Sequence, residues 1–501
     1  MSEIKKAKVV DRPEIGLTEK HPYLGQPFLK KKKIEKRILS SVNKGRGYRG
    51  KAVETTYYLT AKLHPHLSLR ASLPLREWVP RIKERGAPEF QEVENAIGMM
   101  LIHGTTENWP GPGKEPATYK KHTSWLKEIK FLKADSQKES ALVTISTPLK
   151  FFDTTSNGVP LAQLRMATQS EPFNGFINFT ARVVDYHFPV SFKKKFVGQV
   201  WPHKKIREYL KVSKNEPIIG TIVKPKWLPP KLFAQKVTEA ALGGVLFVKS
   251  DENLHLTKKE LAKYVNLTVK MLNKEGFDLL LNPGADKKRF LFAPHITTNA
   301  FEVCEYAKIA VDHGANCLMF SPHFSGDFEL IRRIYEMGDR YKVPIYAHTA
   351  GMNLFCGDPN YSFGEDAKIV YLLAGLSGAA FMQLPAMKGY IRPTAVEKKA
   401  IIERLKEENL VGDDGMTLVI AGGLGAENIG YNIKTLGANG KMFLAGTAIF
   451  HHPDGIKAGI LALKLAIEAA FQGITEVPKL KKYAKSLGKK GAPLLIALKG
   501  K

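Results

Sequence analysis

From about Ile218 the apolar positions fall into eight short runs of strand length: Ile218–Val223, Val245–Val248, Leu279–Leu281, Cys317–Phe320, Pro344–Ala347, Ala380–Gln383, Leu418–Ala421 and Lys441–Leu444. A strand buried on both faces reads as such a run rather than as strict alternation. Between the runs lie stretches with helical spacing, among them Leu232–Leu242, Lys258–Lys274, Phe301–His313, Glu329–Tyr341, Ala395–Glu407 and Ile456–Phe471. Gly276, Gly314, Gly378 and Gly440 sit between helix and strand, where a left-handed cap costs least. Eight strand–helix units predict an α/β fold with a C-terminal (β/α)8 TIM barrel over residues 206–475. An open doubly wound sheet is the alternative, and eight successive units favour closure.

Upstream the pattern is less regular. Val53 to Leu63 and Ala141 to Pro148 predict strands, Phe173 to Asp185 a strand and its approach, and Leu75–Arg85 and Glu89–Leu101 predict helices. Strands mixed with helices without strict alternation give a smaller N-terminal α+β (ferredoxin-like) domain over residues 51–205.

A barrel places its chemistry just after each strand. After the second run comes Lys249-Ser250-Asp251-Glu252. Two carboxylates in sequence suit Mg²⁺, which prefers few protein oxygens and several waters. A lysine beside them repels a cation unless the amine is modified, and a lysine carbamate is an anionic oxygen ligand that would complete the set. A solvated strand end with scattered charges is the plainer reading of the same residues.

The stretch from Gly243 to Glu252 resembles the activation segment of RuBisCO and the RuBisCO-like proteins, Gly-Gly-x-Asp-Phe-x-Lys-x-Asp-Glu, with Leu246 where that family has Asp. The resemblance runs from about residue 50 to 475. It implies that Lys249 is carbamylated by CO2 and binds Mg²⁺ with Asp251 and Glu252. After the first run, Lys224-Pro225-Lys226 is similar to the family segment whose lysines face the substrate. That implies proton transfer or enolate stabilisation by Lys224 and support from Lys226. His348 matches the family histidine near the metal, with Thr349 in place of an arginine that grips a phosphate. Lys388 lies where the family has a lid-loop lysine, without the surrounding motif. Gly422, Gly423 and Gly446 follow the seventh and eighth runs, where glycine lets a phosphate approach backbone N–H groups. The segments 103–109 and 174–176 match the family's partner-subunit residues poorly. The resemblance therefore implies a RuBisCO-like, Mg²⁺-dependent enolase or isomerase acting on a small phosphorylated, methylthio-sugar-like substrate, working as a homodimer, rather than a carboxylating RuBisCO.

Charge opens a second reading. The 501 residues carry a formal net charge of +28. The first 50 hold 14 Lys and Arg against 5 Asp and Glu, and the last 31 hold 8 Lys against one Glu. Residues 1–50 are thus expected to be a basic, mobile extension and residues 476–501 a basic tail, both able to attract nucleic acid or an acidic partner. A RuBisCO-like scaffold that binds RNA or protein through these ends, with little catalysis, is the alternative function. No run of 18 apolar residues suggests a membrane span. The first residues lack a secretory h-region, and acidic residues among them argue against a mitochondrial presequence. Three cysteines, Cys304, Cys317 and Cys356, without a CxxC pair predict a reduced, intracellular setting and no zinc site.

Overall fold

The computed structural model describes residues 21–43, 50–62, 89–103, 122–132, 138–152, 158–159, 161–169, 179–282, 287–358, 363–387 and 391–501. It contains a five-stranded sheet and an eight-stranded sheet. The first is the N-terminal domain. Its order is Gly364–Glu365, Phe179–His187, Ala52–Lys62, Lys138–Pro148 and Trp125–Phe131, antiparallel except for the first pair. Val53, Thr55, Tyr57, Leu59 and Ala61 alternate inward along the central strand and are buried, the period that a half-buried strand requires. Helices Gln91–His103 and Leu161–Gln169 pack in the same core. The predicted helix 75–85 lies outside the described residues.

The second sheet is the barrel. Its strands are Ile218–Ile222, Phe247–Lys249, Leu291–Ala293, Leu318–Phe320, Ile345–Ala347, Phe381–Pro385, Thr417–Ala421 and Lys441–Ala445, called barrel strands one to eight below. All neighbours pair in parallel. The seam between strands three and four is closed by two backbone bonds: Ile296 N–H to Met319 O at 2.8 Å and Met319 N–H to Pro294 O at 3.1 Å. Alternate residues point inward. Ile218, Phe247, Leu291, Met319, Tyr346, Phe381, Val419 and Met442 form one interior cluster. Rings of Phe247, Tyr346 and Phe381 lie 5.3–6.2 Å apart at its centre. Gly220 makes room for them, since a Cβ there would stand 3.1 Å from Phe247 and from Met442. Helix His203–Leu210 covers the far end, placing Ile206 and Leu210 in the same cluster.

Local signals explain the helices. Thr257 and Thr394 each cap a helix and exchange bonds with Glu260 and Glu397 three residues on, the reciprocal box that satisfies otherwise open N–H groups. Gly276, Gly314, Gly378 and Gly440 all have positive φ.

Three expectations are corrected. Leu279–Leu281 is not a barrel strand. Phe277–Asp278 pairs with Lys288–Arg289 in a separate ribbon, and Leu280 is 67 % exposed. The third strand is Leu291–Ala293, whose surroundings Phe290 to Ala293 are fully buried on both faces. The basic residues before 50 are not all an extension. Lys32–Val42 is a helix with Ile38 fully buried, Leu29 N–H bonds Phe131 O at 2.8 Å, and Tyr23 Oη donates to Asp366 at 2.6 Å. Nor are residues 476–501 a free tail. Helices Val477–Ser486 and Ala492–Ala497 bury Leu480, Ala484, Leu494 and Leu498. In both ends a helical apolar stripe runs among the lysines, and net charge conceals it. Among the described residues no helix is long and apolar enough to cross a membrane.

Because Ile38 belongs to the N-terminal core, Ile38→Ala is expected to destabilise the folded protein by about 2–5 kcal/mol. Urea unfolding followed by fluorescence measures this. A change no larger than that of a surface substitution would show that the helix is not part of the cooperative unit.

Candidate functional site

Inward alternation carries a lysine to the top layer of the barrel. Phe247 points inward, so Lys249 does too, in register with Ile222 and Ala293 on the flanking strands. Lys249 and Asp251 are each 1 % exposed. A buried ammonium needs a partner, and Lys249 Nζ donates to Glu252 Oε2 at 2.9 Å. It also lies 5.9 Å from the centre of the Tyr346 ring beneath it. Lys224, just past strand one, donates to Asp251 Oδ2. The other oxygen of Asp251 accepts from the Asn253 backbone at 2.9 Å and its side-chain amide at 3.2 Å. The four groups form two ion pairs side by side.

His348 stands past strand five, stacked 6.0 Å from Tyr346. Its Nδ1 accepts from Ala350 N–H at 3.1 Å, so the neutral ring carries its proton on Nε2, which faces Glu252 Oε2 at 3.6 Å. Burial and then Lys249 hold His348 down at about 3. Burial would raise Glu252, but Lys249 outweighs it, and the carboxyl falls well below the usual range. Burial likewise opposes the ionised Asp251, and bonds from Lys224 and Asn253 overcome it. Lys249 is itself pulled below an ordinary lysine by burial, an effect that Glu252 opposes.

The glycines gather on the other side of the mouth. Gly422 and Gly423 have φ of +79° and +78°, a region that favours glycine. A Cβ on Gly446 would meet Ile222 at 2.5 Å and come within 4.0 Å of Lys224 Cε, so the eighth loop approaches the first only because this position is bare. Lys226 is exposed. Lys388 lies outside the described residues, as do residues 104–109 and 174–176.

One site residue escaped the sequence reading. His295 follows the true third strand and is 5 % exposed. Its signal was the run Phe290–Ala293 ending in Pro294-His295, hidden while Leu279–Leu281 held the place of that strand. His323, after strand four, packs instead against Phe355 and Phe328.

A parallel barrel with lysines and carboxylates clustered past its strands defines an enzyme-like mouth, and comparison narrows the class. Residues 204–494 match the ribulose bisphosphate carboxylase large chain, catalytic domain. The chain belongs to that family. It is 31% identical over 304 residues to a ribulose bisphosphate carboxylase-like protein of Archaeoglobus fulgidus, covering 60% of this chain and 66% of that one, just short of two thirds. It is 29% identical over 384 residues to a ribulose bisphosphate carboxylase of Methanocaldococcus jannaschii, covering 73% and 86%. It is 28% identical over 304 residues to a 2,3-diketo-5-methylthiopentyl-1-phosphate enolase of Bacillus cytotoxicus, covering 58% and 68%. The fold is shared with the dimeric archaeal RuBisCO of Hyperthermus butylicus, with a TM-score of 0.68 at 19% identity over 92% of this chain and 99% of that one.

The buried groups make stability depend on pH. His348, His295 and His203 are neutral in the fold, held at about 3, 4 and 4 by burial. The unfolded chain binds protons on these rings as pH falls below about 6.5, whereas the folded chain does not. Depressed Asp251 and Glu252 act in the same direction below about 4.5. Stability is therefore expected to fall steadily from pH 6.5 to 4, and more gently in His348→Asn. Urea titrations at several pH values in metal-free buffer measure both slopes. A flat wild-type profile would contradict the assignment.

Proposed function

We propose that the chain is a RuBisCO-like enolase or isomerase that uses Mg²⁺ held by a Lys249 carbamate, Asp251 and Glu252, and acts on a small phosphorylated keto sugar as a homodimer. The observation that carries this reading is the buried Lys249 beside two ionised carboxylates at the mouth of the barrel. As an amine, Lys249 would oppose a cation, and among the described residues no group of three His, Cys, Asp or Glu could hold a metal. The donor set fits Mg²⁺ only with the amine converted. Burial, by lowering the basicity of Lys249, favours the neutral amine that CO2 requires. The nitrogen lone pair bonds the carbon, one N–H proton leaves, and two oxygens are added to those of Asp251 and Glu252.

When bound, the cation polarises the substrate carbonyl and offsets the charge of the enolate. The chain's own residues do the rest. Lys224, 27 residues before Asp251 in sequence but bonded to it, presents an ammonium to the developing oxyanion. Lys226, exposed beside it, meets substrate from the rim. His348 turns Nε2–H toward Glu252 at 3.6 Å and borders that carboxylate. Gly422, Gly423 and Gly446 offer open backbone to the phosphate. Lys388 is kept as a candidate to contact the bound substrate. Relatives named 2,3-diketo-5-methylthiopentyl-1-phosphate enolase make that diketo phosphate the first compound to test. Changes from the carboxylase pattern, Thr349 above all, argue against CO2 addition to a bisphosphate.

The test is ¹³CO2 trapping on the purified protein with Mg²⁺, read by ¹³C NMR. A metal-dependent carbamate signal absent from Lys249→Ala is expected, and no signal at saturating CO2 and Mg²⁺ would end the carbamate reading. With the diketo phosphate, Lys224→Met is expected to lower kcat by about 10²–10³ with little change in KM, since the ammonium acts on charge that develops in the transition state. An unchanged kcat would remove Lys224 from the chemistry.

A further inference from the structure

His295 is built into the same mouth and is not used by the mechanism above. It forms a parallel bridge with Met319, which points into the barrel interior. Bridge partners share a face, so the imidazole points inward too. Its backbone N–H donates to Ser250 Oγ at 2.7 Å, and Ser250 N–H returns to Ala293 O at 3.1 Å. The third strand's end is thereby tied to the residue between Lys249 and Asp251.

The hydrogen bonds of the ring fix its tautomer. Nδ1 lies 3.2 Å from Leu254 O. A carbonyl only accepts, so Nδ1 carries the proton. Nε2 is then an open lone pair, and its partner is the hydroxyl of Thr297. That hydroxyl also accepts from Ser321 N–H at 2.9 Å. Thr297 Oγ1 therefore has its proton committed to His295, one lone pair committed to Ser321, and one lone pair left over. Thr297 is half-buried whereas His295 is buried, so the hydroxyl is the more accessible end of the chain. An oriented imidazole, its Nδ1–H held by an acceptor and its Nε2 bonded to a hydroxyl, is the arrangement by which proteins draw the proton off a hydroxyl and make its oxygen more basic.

We propose that Thr297 and His295 form the proton relay that removes the substrate proton next to the carbonyl. The inference rests on the enolase reading above and supplies the base which that reading leaves unassigned. The C–H bond breaks and its electron pair becomes the C=C bond of the enolate. The proton passes to the free lone pair of Thr297 Oγ1 as the Thr297 hydroxyl proton passes to His295 Nε2. The resulting imidazolium keeps its Nδ1–H on Leu254 O, and the proton returns to product or solvent by the same route. Lys224, past the first strand, is left to serve the oxyanion. Base and electrophile thus come from different strands: His295 and Thr297 beyond the third, Lys224 beyond the first.

The experiment uses the full chain with Mg²⁺ and CO2, the 2,3-diketo phosphate as probe, and solvent-deuterium incorporation as readout. His295→Gln is expected to lower kcat by about 10²–10⁴. Thr297→Val, which keeps the shape and removes the hydroxyl, is expected to lower it about tenfold or more. Thr297→Ser should restore most of the rate, and KM should hold in all three. A Thr297→Val enzyme as fast as wild type, or a Thr297→Ser enzyme as slow as Thr297→Val, would overturn the relay. So would a loss confined to KM, which marks positioning. A second measurement does not depend on turnover. Long-range ¹H–¹⁵N spectra of histidine-labelled protein, with His295 assigned by its absence in His295→Gln, should show a protonated Nδ1 and a bare Nε2 that shifts in Thr297→Val. A proton on Nε2 would overturn the chain. Wild-type protein that exchanges nothing would end the enolase reading, and the NMR result then decides the hydrogen-bond chain alone.

Discussion

Lys249 has to find an answer to burial on the inner face of a barrel. An uncompensated ammonium at that depth costs several kcal/mol, and removing one member of a buried pair leaves the other exposed to the same penalty. Glu252 answers Lys249, and Lys224 answers Asp251. His348 contributes no charge because its Nδ1 is taken by Ala350 N–H and its ring is buried. The mouth is neutral in sum yet built of four charged groups. Each carboxylate faces a lysine. Lys224 is half-buried and Lys249 is buried, so Lys224 is the ammonium nearer to solvent.

The N-terminal domain takes part in shaping this mouth. Gly364–Glu365, from the segment after the fifth barrel strand, pairs as the edge of the N-terminal sheet. Arg182 reaches from that sheet to Glu365 O at 2.8 Å. Arg165 bonds both Glu365, at 3.2 Å, and Asp327 from the loop after the fourth strand. Tyr23 adds a bond to Asp366. The loops that present Ser321 and His348 are thus held from outside the barrel. Ser321 in turn holds Thr297. Positions at the mouth therefore depend on contacts made by residues far from it in sequence and of no catalytic type themselves.

Seven of the eight barrel strands were legible because a doubly buried parallel strand has no competing pattern. The third was not. Leu279–Leu281 is as apolar as a strand, but its chain turns away after Asp278, and only tertiary packing separates it from Phe290–Ala293. That single displacement hid His295, since a residue matters in a barrel by where its strand ends. Lys249, Asp251 and Glu252 were legible as a charged cluster at a strand end, Lys224 and His348 through the family resemblance, and the structure brings them together. The glycine loops were legible by position, and Gly446 proves tight against Ile222. The two ends were misread for a different reason. Net charge sums over a helix and erases its sides, so Ile38, Leu480 and Ala484, which anchor those helices, were outvoted by their lysine neighbours.

Those lysines bear on how the excess charge relates to the chemistry. Lys482, Lys485, Lys489 and Lys490 are exposed on the C-terminal helices, fixed in place rather than sweeping through solvent. Their field is screened over about 8 Å at physiological salt. An anion arriving at the mouth would feel chiefly the groups within that distance. Lys224 is one, beside the glycine of the eighth loop. Lys501 is paired with Glu427 on the seventh loop, 3.6 Å away. The surface charge can raise encounter rates at low salt, but it cannot discriminate an enolate from a ketone. Only groups already aimed at the reacting atoms do that. The two features of the sequence that first suggested different functions, a buried lysine–carboxylate cluster and a basic surface, therefore act at different ranges.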